Sequence, residues 1–358
     1  MPITRPGFVR AWVRSALAAL LLACVTLPSA AQGLRLAVWG SEMRRDGPGL
    51  LLRDILRADP QVLAVRDLIL QAAPDALLLL QVDHDLRLTA LQGFQALLAE
   101  AGHPMPHAFA PRPNSGVPSG IDLDGDGRLG TLDDALGWGR FQGAGGMALL
   151  SRHPIGADAQ DLSGFLWRDL PGSLIPMQDG APFPSEQAHA LQPLSSTGHW
   201  VVPLVIDGAT LHLLAWHAGP PAFGAVPGRN RARNHDETAF WLHYLDGALP
   251  IVPPEGPLVV IGNANMDPEA GDGMQDAIRA LLAHPRLQDP VPLGQREADA
   301  RASRTTVIYD PPPDGPGALR SSYILPDAAL TVRDAGVIWP EPPARHALVW
   351  VDLDWPPR

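Results

Sequence analysis

The sequence holds one cysteine in 358 residues, Cys24. It falls within an N-terminal leader of 31 residues, so the mature chain has none, which excludes disulfides, thiolate metal centres and cysteine nucleophiles together. Aromatic residues are scarce, at 6 %, yet the apolar fraction is that of a globular protein and disorder is not the reading. Basic charge is in deficit as well, with 27 Lys and Arg against 38 Asp and Glu. Such a chain lacks the broad basic footprint of a tight nonspecific nucleic-acid binder, and small phosphate esters suit it better than long polyanions. No apolar run is long enough to span a bilayer comfortably, and no internal repeat or low-complexity tract stands out. Proline and glycine are plentiful instead, 39 and 35 residues, which implies many loops between short elements.

The first 31 residues read as a signal peptide. Arg5, Arg10 and Arg14 form a positive n-region, Ala16 to Val25 an apolar h-region, and Ser29-Ala30-Ala31 a small-residue cleavage site. The expected location is the bacterial periplasm or the exterior, with no membrane span after processing. Leu22-Ala23-Cys24 loosely resembles a lipidation box, so lipoprotein maturation stays open. Removing the leader takes three Arg and no acid, and the net charge falls from −11 to −14. Residues 32–358 are long enough for one α/β domain with a sizeable core. Oligomeric state is not readable.

Several strand ends carry polar residues. Leu258 to Ile261 reads as a buried strand, and Gly262, Asn263, Asn265, Asp267 and Pro268 follow. Residues two apart face the same way, so Asn263 and Asn265 can address one small site; the same residue types also suit a plain turn. Leu34 to Trp39 reads as the first strand, ending at Gly40-Ser41-Glu42, where Glu42 is a site carboxylate or a solvated turn acid. Helices are expected over 50–58 and 60–73. The strand Ala76 to Leu80 then ends in Gln81-Val82-Asp83-His84-Asp85. Asp83 and Asp85 offer oxygens of the kind a hard divalent cation needs, or are ordinary strand-end polarity. Helices are also expected over 88–101 and 274–284. Leu211 to Trp216 ends at His217, which suits proton transfer or a phosphate contact. His199, beside Trp200, faces the same site or packs structurally. Arg229, Arg231 and Arg233 alternate in a predicted loop ahead of a helix over 238–246. They form an anion site of guanidinium forks, or pair with nearby acids in solvent.

The most specific local pattern runs from Asp122 to Asp133. Asp122, Asp124, Asp126 and Asp133 place oxygens at loop positions 1, 3, 5 and 12, Gly127 supplies the sharp turn, and the Arg128 carbonyl falls at position 7. This resembles the calcium loop of EF-hands and dockerins. A Ca²⁺ ion there would staple an insertion near 112–140 without taking part in catalysis.

Taken together, these segments resemble, in order, the motifs of the endonuclease/exonuclease/phosphatase superfamily. Gly262 to Pro268 resembles its GDxNxDP motif, Gly145 to Ile155 its G-x-A-(I/L)-L-S-R-x-P-(I/L) strand pair, Leu319 to Pro326 its L-R-x-D-Y-(V/I)-L-P strand, and Ala344 to Val351 its closing S-D-H strand. The resemblance implies a four-layer α/β sandwich, two packed mixed sheets flanked by helices. It also implies a divalent-metal phosphoesterase acting on a small phosphate ester. In that reading Mg²⁺, Mn²⁺ or Ca²⁺ is held by Asp83, Asp85 and Glu42, and His346 activates water. Asn265 positions that water or a phosphate oxygen, Asn263 stands with it among the catalytic residues, and His217 stabilises the transition state or leaving group. The departures are many: Gly40 replaces an Asn, Val82 a Glu, and Asn263, Ser322 and Arg345 each an Asp. They imply the alternative, a catalytically impaired pseudoenzyme that keeps the fold as a binding module.

Overall fold

The computed structural model describes Met1 and residues 32–224, 226–294, 302–341 and 344–357. The expected leader and its cleavage site therefore lie outside the described residues, Met1 excepted. Contacts divide the chain into Met1–Gln32 and Gly33–Arg358, and the second unit holds the core. No helix among the described residues is long and apolar enough to cross a membrane.

Strand β1 (Gln32–Gly40) precedes helices α1 (Leu50–Leu56) and α2 (Pro60–Ala72), and the chain returns as β2 (Ala76–Val82), parallel to β1. Asp59 starts α2 by accepting the Gln61 N–H, with Pro60 in the first turn where its missing donor costs nothing. Helix α3 (Thr89–Glu100) leads to β3 (His107–Phe109) and, after a long insertion, β4 (Gly146–Ser151). An excursion holds β5 (Gln160–Asp161), the pair β6 (Met177–Gln178) and β7 (Ala181–Pro182), and α4 (Glu186–Leu191). Then come β8 (Gly198–Ile206), β9 (Ala209–His217), α5 (Arg229–Leu245), β10 (Leu258–Asn263) and α6 (Asp276–Leu282). The chain finishes with β11 (Leu293–Gly294), the pair β12 (Val307–Ile308) and β13 (Ala318–Leu319), β14 (Ser322–Pro326), β15 (Val332–Ile338) and β16 (Leu348–Trp355).

Two mixed sheets result, one ordered β11-β15-β16-β1-β2-β4-β3 and the other β14-β10-β9-β8-β5. Strand periodicity explains why they stack. Leu36 and Val38 of β1, Leu78 and Leu80 of β2, and Val259 and Ile261 of β10 meet in the core between the sheets. Their alternates point outward: Ala37, Trp39, Leu77 and Leu79 pack on α1, α2 and α3, while Leu258 and Val260 pack on α5 and α6. Strands buried on both faces read as unbroken apolar runs, and helices cover both outer faces. The architecture is the expected four-layer sandwich.

Helix α5 corrects one boundary. It begins at Arg229, behind Gly228 in the left-handed region, and not near Thr238. Residues 229–237 form its first turns, and Arg229, Arg233, Asn234, Asp236 and Glu237 are buried. Their spacing is helical, but the buried face is polar, so it carries no apolar periodicity to read.

Candidate functional site at the strand ends

The sheets bring several strand ends to one edge of the sandwich. His217, the last residue of β9, is in register with Asn263 at the end of β10, and Asn263 with Ser322 at the start of β14. On the facing sheet, β1 ends at Gly40 beside Leu80 of β2, and Gln81 follows. His346 precedes β16, and its backbone carbonyl accepts the Trp39 indole N–H at 3.1 Å. The Gln81 amide nitrogen lies 3.4 Å from His346 Nε2. Three non-glycine residues at these ends have left-handed backbones, Glu42 at φ 53°, Gln81 at 58° and Asn265 at 48°. Strain of this kind persists only where the surroundings fix it, and it clusters at functional sites.

Many buried polar atoms at this edge lack a partner. Gln81 Oε1, His217 Nδ1, Asn263 Nδ2, Ser321 Oγ, Ser322 Oγ and His346 Nδ1 are all buried without a hydrogen bond among the described residues. Orphaned buried polar atoms are uncommon, and a cluster of six at one edge calls for an explanation. Burial, and then Arg44, pushes His217 down to about 4. Burial, then His217, Arg345 and Arg44, pushes His346 down to about 3. Both imidazoles are neutral at physiological pH, in a field made positive by two arginines. Tyr309 closes the group: its ring meets His346 edge-on at 6.5 Å, and the Arg345 guanidinium lies 5.3 Å from its centroid.

Residues 38–353 match the profile of the Endonuclease/Exonuclease/phosphatase family. The chain belongs to that family. Family members are hydrolases of phosphoesters that generally use divalent metal ions. Among solved structures, an endonuclease/exonuclease/phosphatase from Beutenbergia cavernae is similar at 17 % identity and TM-score 0.56, covering 90 % of this chain and 72 % of that one. An AP endonuclease from Archaeoglobus fulgidus is similar at 15 % identity and TM-score 0.51, covering 90 % and 99 %. At such identities the likeness is one of fold. No curated protein sequence aligns significantly with the chain.

A metal of the Endonuclease/Exonuclease/phosphatase family does not fit the residues at this edge. Val82, in place of a Glu, is buried and apolar. The Asp83 oxygens accept the backbone N–H groups of Arg45 at 2.7 Å and Gly145 at 2.9 Å, and burial pushes its carboxyl up. Asp85 accepts the N–H groups of Arg87, Thr89 and Ala90 and thereby caps α3. Both carboxylates are thus engaged by backbone N–H groups. Asn263 Oδ1 accepts the Asn265 N–H at 2.6 Å, and the Asn265 amide donates to the Ala218 carbonyl at 2.7 Å, so both asparagines fasten the turn. Asp267 likewise accepts the N–H groups of Glu269, Ala270 and Arg320. Glu42 remains as a single carboxylate whose field reaches Tyr309. A hard divalent cation is usually held by several charged oxygens, and only one carboxylate is left here beside neutral amide and hydroxyl oxygens. Gly40 shows that the rearrangement is steric as well. A Cβ there would stand 2.9 Å from His346 Cγ, so the imidazole occupies the space a longer side chain would need.

Among the described residues, one cluster of acids could hold a metal, and it lies elsewhere. One ligand oxygen each from Asp122, Asp124 and Asp126 falls within 4.8 Å of the others. Asp133 is not in that group. Its neighbour Asp134 is the buried acid, accepting from Leu123 N–H and from both Thr131 donors. The Arg128 N–H is held by Asp126 at 2.7 Å.

The arginines of α5 are not brought to the strand-end site. Arg229 donates to Gln192 Oε1, and Arg233 donates to the carbonyls of Leu136, Pro193, Leu194 and Ser195. Arg231 is exposed. His199 is buried between Ser195 Oγ and the Glu237 carbonyl, against Phe240 and Trp241. These residues scaffold the site from behind. Asn234 donates to the carbonyls of Gly219 and Ala264, and Glu237 accepts the Gly219 N–H at 2.7 Å. Together they pin the loops after β9 and β10. Sequence reasoning missed Arg44, Gln81, Tyr309 and Asp134 as contributors; only Gln81, next to Val82, lay inside a recognised motif.

Proposed function

We propose that this chain is a secreted, catalytically impaired member of the Endonuclease/Exonuclease/phosphatase family that uses the strand-end site to bind a small phosphate-containing molecule. One observation carries the reading. The edge that would hold a metal keeps a single carboxylate, Glu42, yet it has six unpartnered buried polar atoms and two neutral histidines. A decayed site under no constraint would fill with apolar side chains, since an orphaned polar atom costs about 1–3 kcal/mol. These groups are retained for a ligand. The Asp122, Asp124 and Asp126 loop serves separately, as a calcium staple for the insertion at 112–140.

Retention of His217 and His346 favours a second reading, a metal-dependent phosphoester hydrolase with rearranged ligands. The two are separated by hydrolysis of phosphomonoester and phosphodiester reporters with Mg²⁺, Mn²⁺ or Ca²⁺, beside a His346→Ala control. The binding module gives no metal-dependent turnover above that control. Turnover that needs metal and disappears in the control overturns it.

A further inference from the structure

We infer that the strand-end site has exchanged a cation for guanidinium groups: Arg44 and Arg345 take the place of the metal and hold a phosphate-type dianion directly, without any divalent ion. This rests on the binding-module reading and adds its chemistry. Three observations carry it.

The first is charge. Arg345 stands where the family motif has an acid, and Arg44 follows the turn after β1, where Gly40 has replaced an amide. The Arg345 guanidinium lies 5.3 Å from the centroid of Tyr309, whose ring meets His346 edge-on, and Arg44 follows the end of β1, where Gly40 abuts His346. Neither makes a salt bridge within 4.0 Å to any described carboxylate, unlike Arg35, Arg45 and Arg320, which are paired with Asp352, Asp54 and Asp289. An unpaired cation beside the site attracts an anion and repels a divalent metal.

The second is the donor set beneath. Asn263 Nδ2 is a free donor, and the Ser322 hydroxyl and the Nδ1 atoms of His217 and His346 can each turn a proton to an acceptor. Each is buried; His217, Asn263 and Ser322 are in register along one sheet edge, and His346 stands on the facing sheet beside Gln81. A ligand rich in acceptors and lacking donors, such as a phosphate, satisfies these four at once, whereas Gln81 Oε1 is an acceptor and is not among its partners.

The third is access. Arg44 and Arg345 are exposed while the donors lie buried. An anion meets the guanidinium groups first and then the inner donors. Arginine suits the task because its planar fork matches the oxygens of phosphate.

Isothermal titration of the purified protein with inorganic phosphate, in the presence of a chelator, tests the assignment. Saturable binding is expected, unchanged by later addition of excess Mg²⁺, and weakened roughly tenfold in Arg44→Gln and in Arg345→Gln, the size of one lost charge-assisted hydrogen bond. Both side chains are exposed, so thermal midpoints should match the parent and certify the fold. Binding that appears only with a divalent ion, affinity unmoved in both variants, or no binding at all overturns the proposal. Reporter hydrolysis on the same preparation distinguishes the failures. Metal-dependent turnover sinks the binding module itself, whereas arginine-independent phosphate binding sinks the arginine assignment alone.

Discussion

Two buried polar regions border the smaller sheet, and they are built on opposite terms. Behind the sheet, Arg233 donates to four carbonyls, and the Glu237 oxygens accept from Ser196 N–H, Ser196 Oγ and Gly219 N–H. At the strand ends, His217, Asn263, Ser322 and His346 each keep a buried atom with no partner among the described residues. The Arg233 and Glu237 groups are satisfied by the fold, although Gln192 Nε2, Asn234 Oδ1, Trp241 Nε1 and Tyr244 OH in the same region are also buried without a partner among the described residues. On the proposed reading, the groups left open at the strand ends are held for a ligand that arrives from outside. Three experiments put that contrast at risk.

The largest effect is acid. His199 belongs to the satisfied region and His217 and His346 to the open one, but burial pushes all three down, to about 4, 4 and 3. Each binds its proton less readily folded than unfolded. Stability is therefore full at neutral pH and is lost as pH falls below about 6.5, where the unfolded chain takes up protons that the folded chain refuses. Three such groups lower the unfolding free energy by roughly 6 kcal/mol between pH 6.5 and 5 as an upper figure. Urea denaturation at pH 7.5 and pH 5 measures it, and equal midpoints would refute the burial of these histidines as neutral groups. Phosphate at the strand ends should soften the loss, because an anion favours the protonated imidazoles of that region.

Next comes Arg233→Met. It strands the Glu237 carboxylate, which burial pushes up and which Arg233 helps to hold down. Removing one member of a buried charged set costs about 3–5 kcal/mol. Chemical denaturation should show a loss of that size, with phosphate affinity falling only as the fold falls. A variant as stable as the parent would mean that the satisfied network contributes nothing.

The same contrast explains what could be read from the sequence. Double-faced strands such as Ala76 to Leu80 are plain as apolar runs, and the order of the motifs implies the sandwich without knowledge of any contact. That Asp122, Asp124 and Asp126 come together is equally legible, because their spacing is local. The arginines of α5 are legible only as a polar stretch. Whether Arg233 faces an anion or four carbonyls depends on where the 192–195 segment lies, far away in sequence. Asp83 and Asp85 mislead for the same reason, since a carboxylate at a strand tip is a ligand or a cap according to which N–H groups surround it. Substitutions at Gly40, Val82, Asn263 and Ser322 are visible one by one. That His346 fills the space over Gly40 is not, because the two residues are brought together only by the closing strand.

The smallest effect is the most discriminating, because it sets one serine against another. Ser196 Oγ donates to the Glu237 carboxylate, whereas Ser322 Oγ is buried with no partner among the described residues. Ser196→Ala should cost about 1.5–3 kcal/mol, the usual loss of a hydrogen bond to a charged group. Ser322→Ala removes an atom that the fold leaves unsatisfied, so stability should stay within about 0.5 kcal/mol of the parent or rise slightly. The two changes delete the same oxygen from the same residue type, and both serines are close to the smaller sheet. Any difference between them therefore reports on the partner and not on the side chain. If Ser322→Ala destabilises as much as Ser196→Ala, the hydroxyl has a protein partner and the strand ends are part of the fold. If it leaves stability alone but weakens phosphate, the hydroxyl belongs to the ligand.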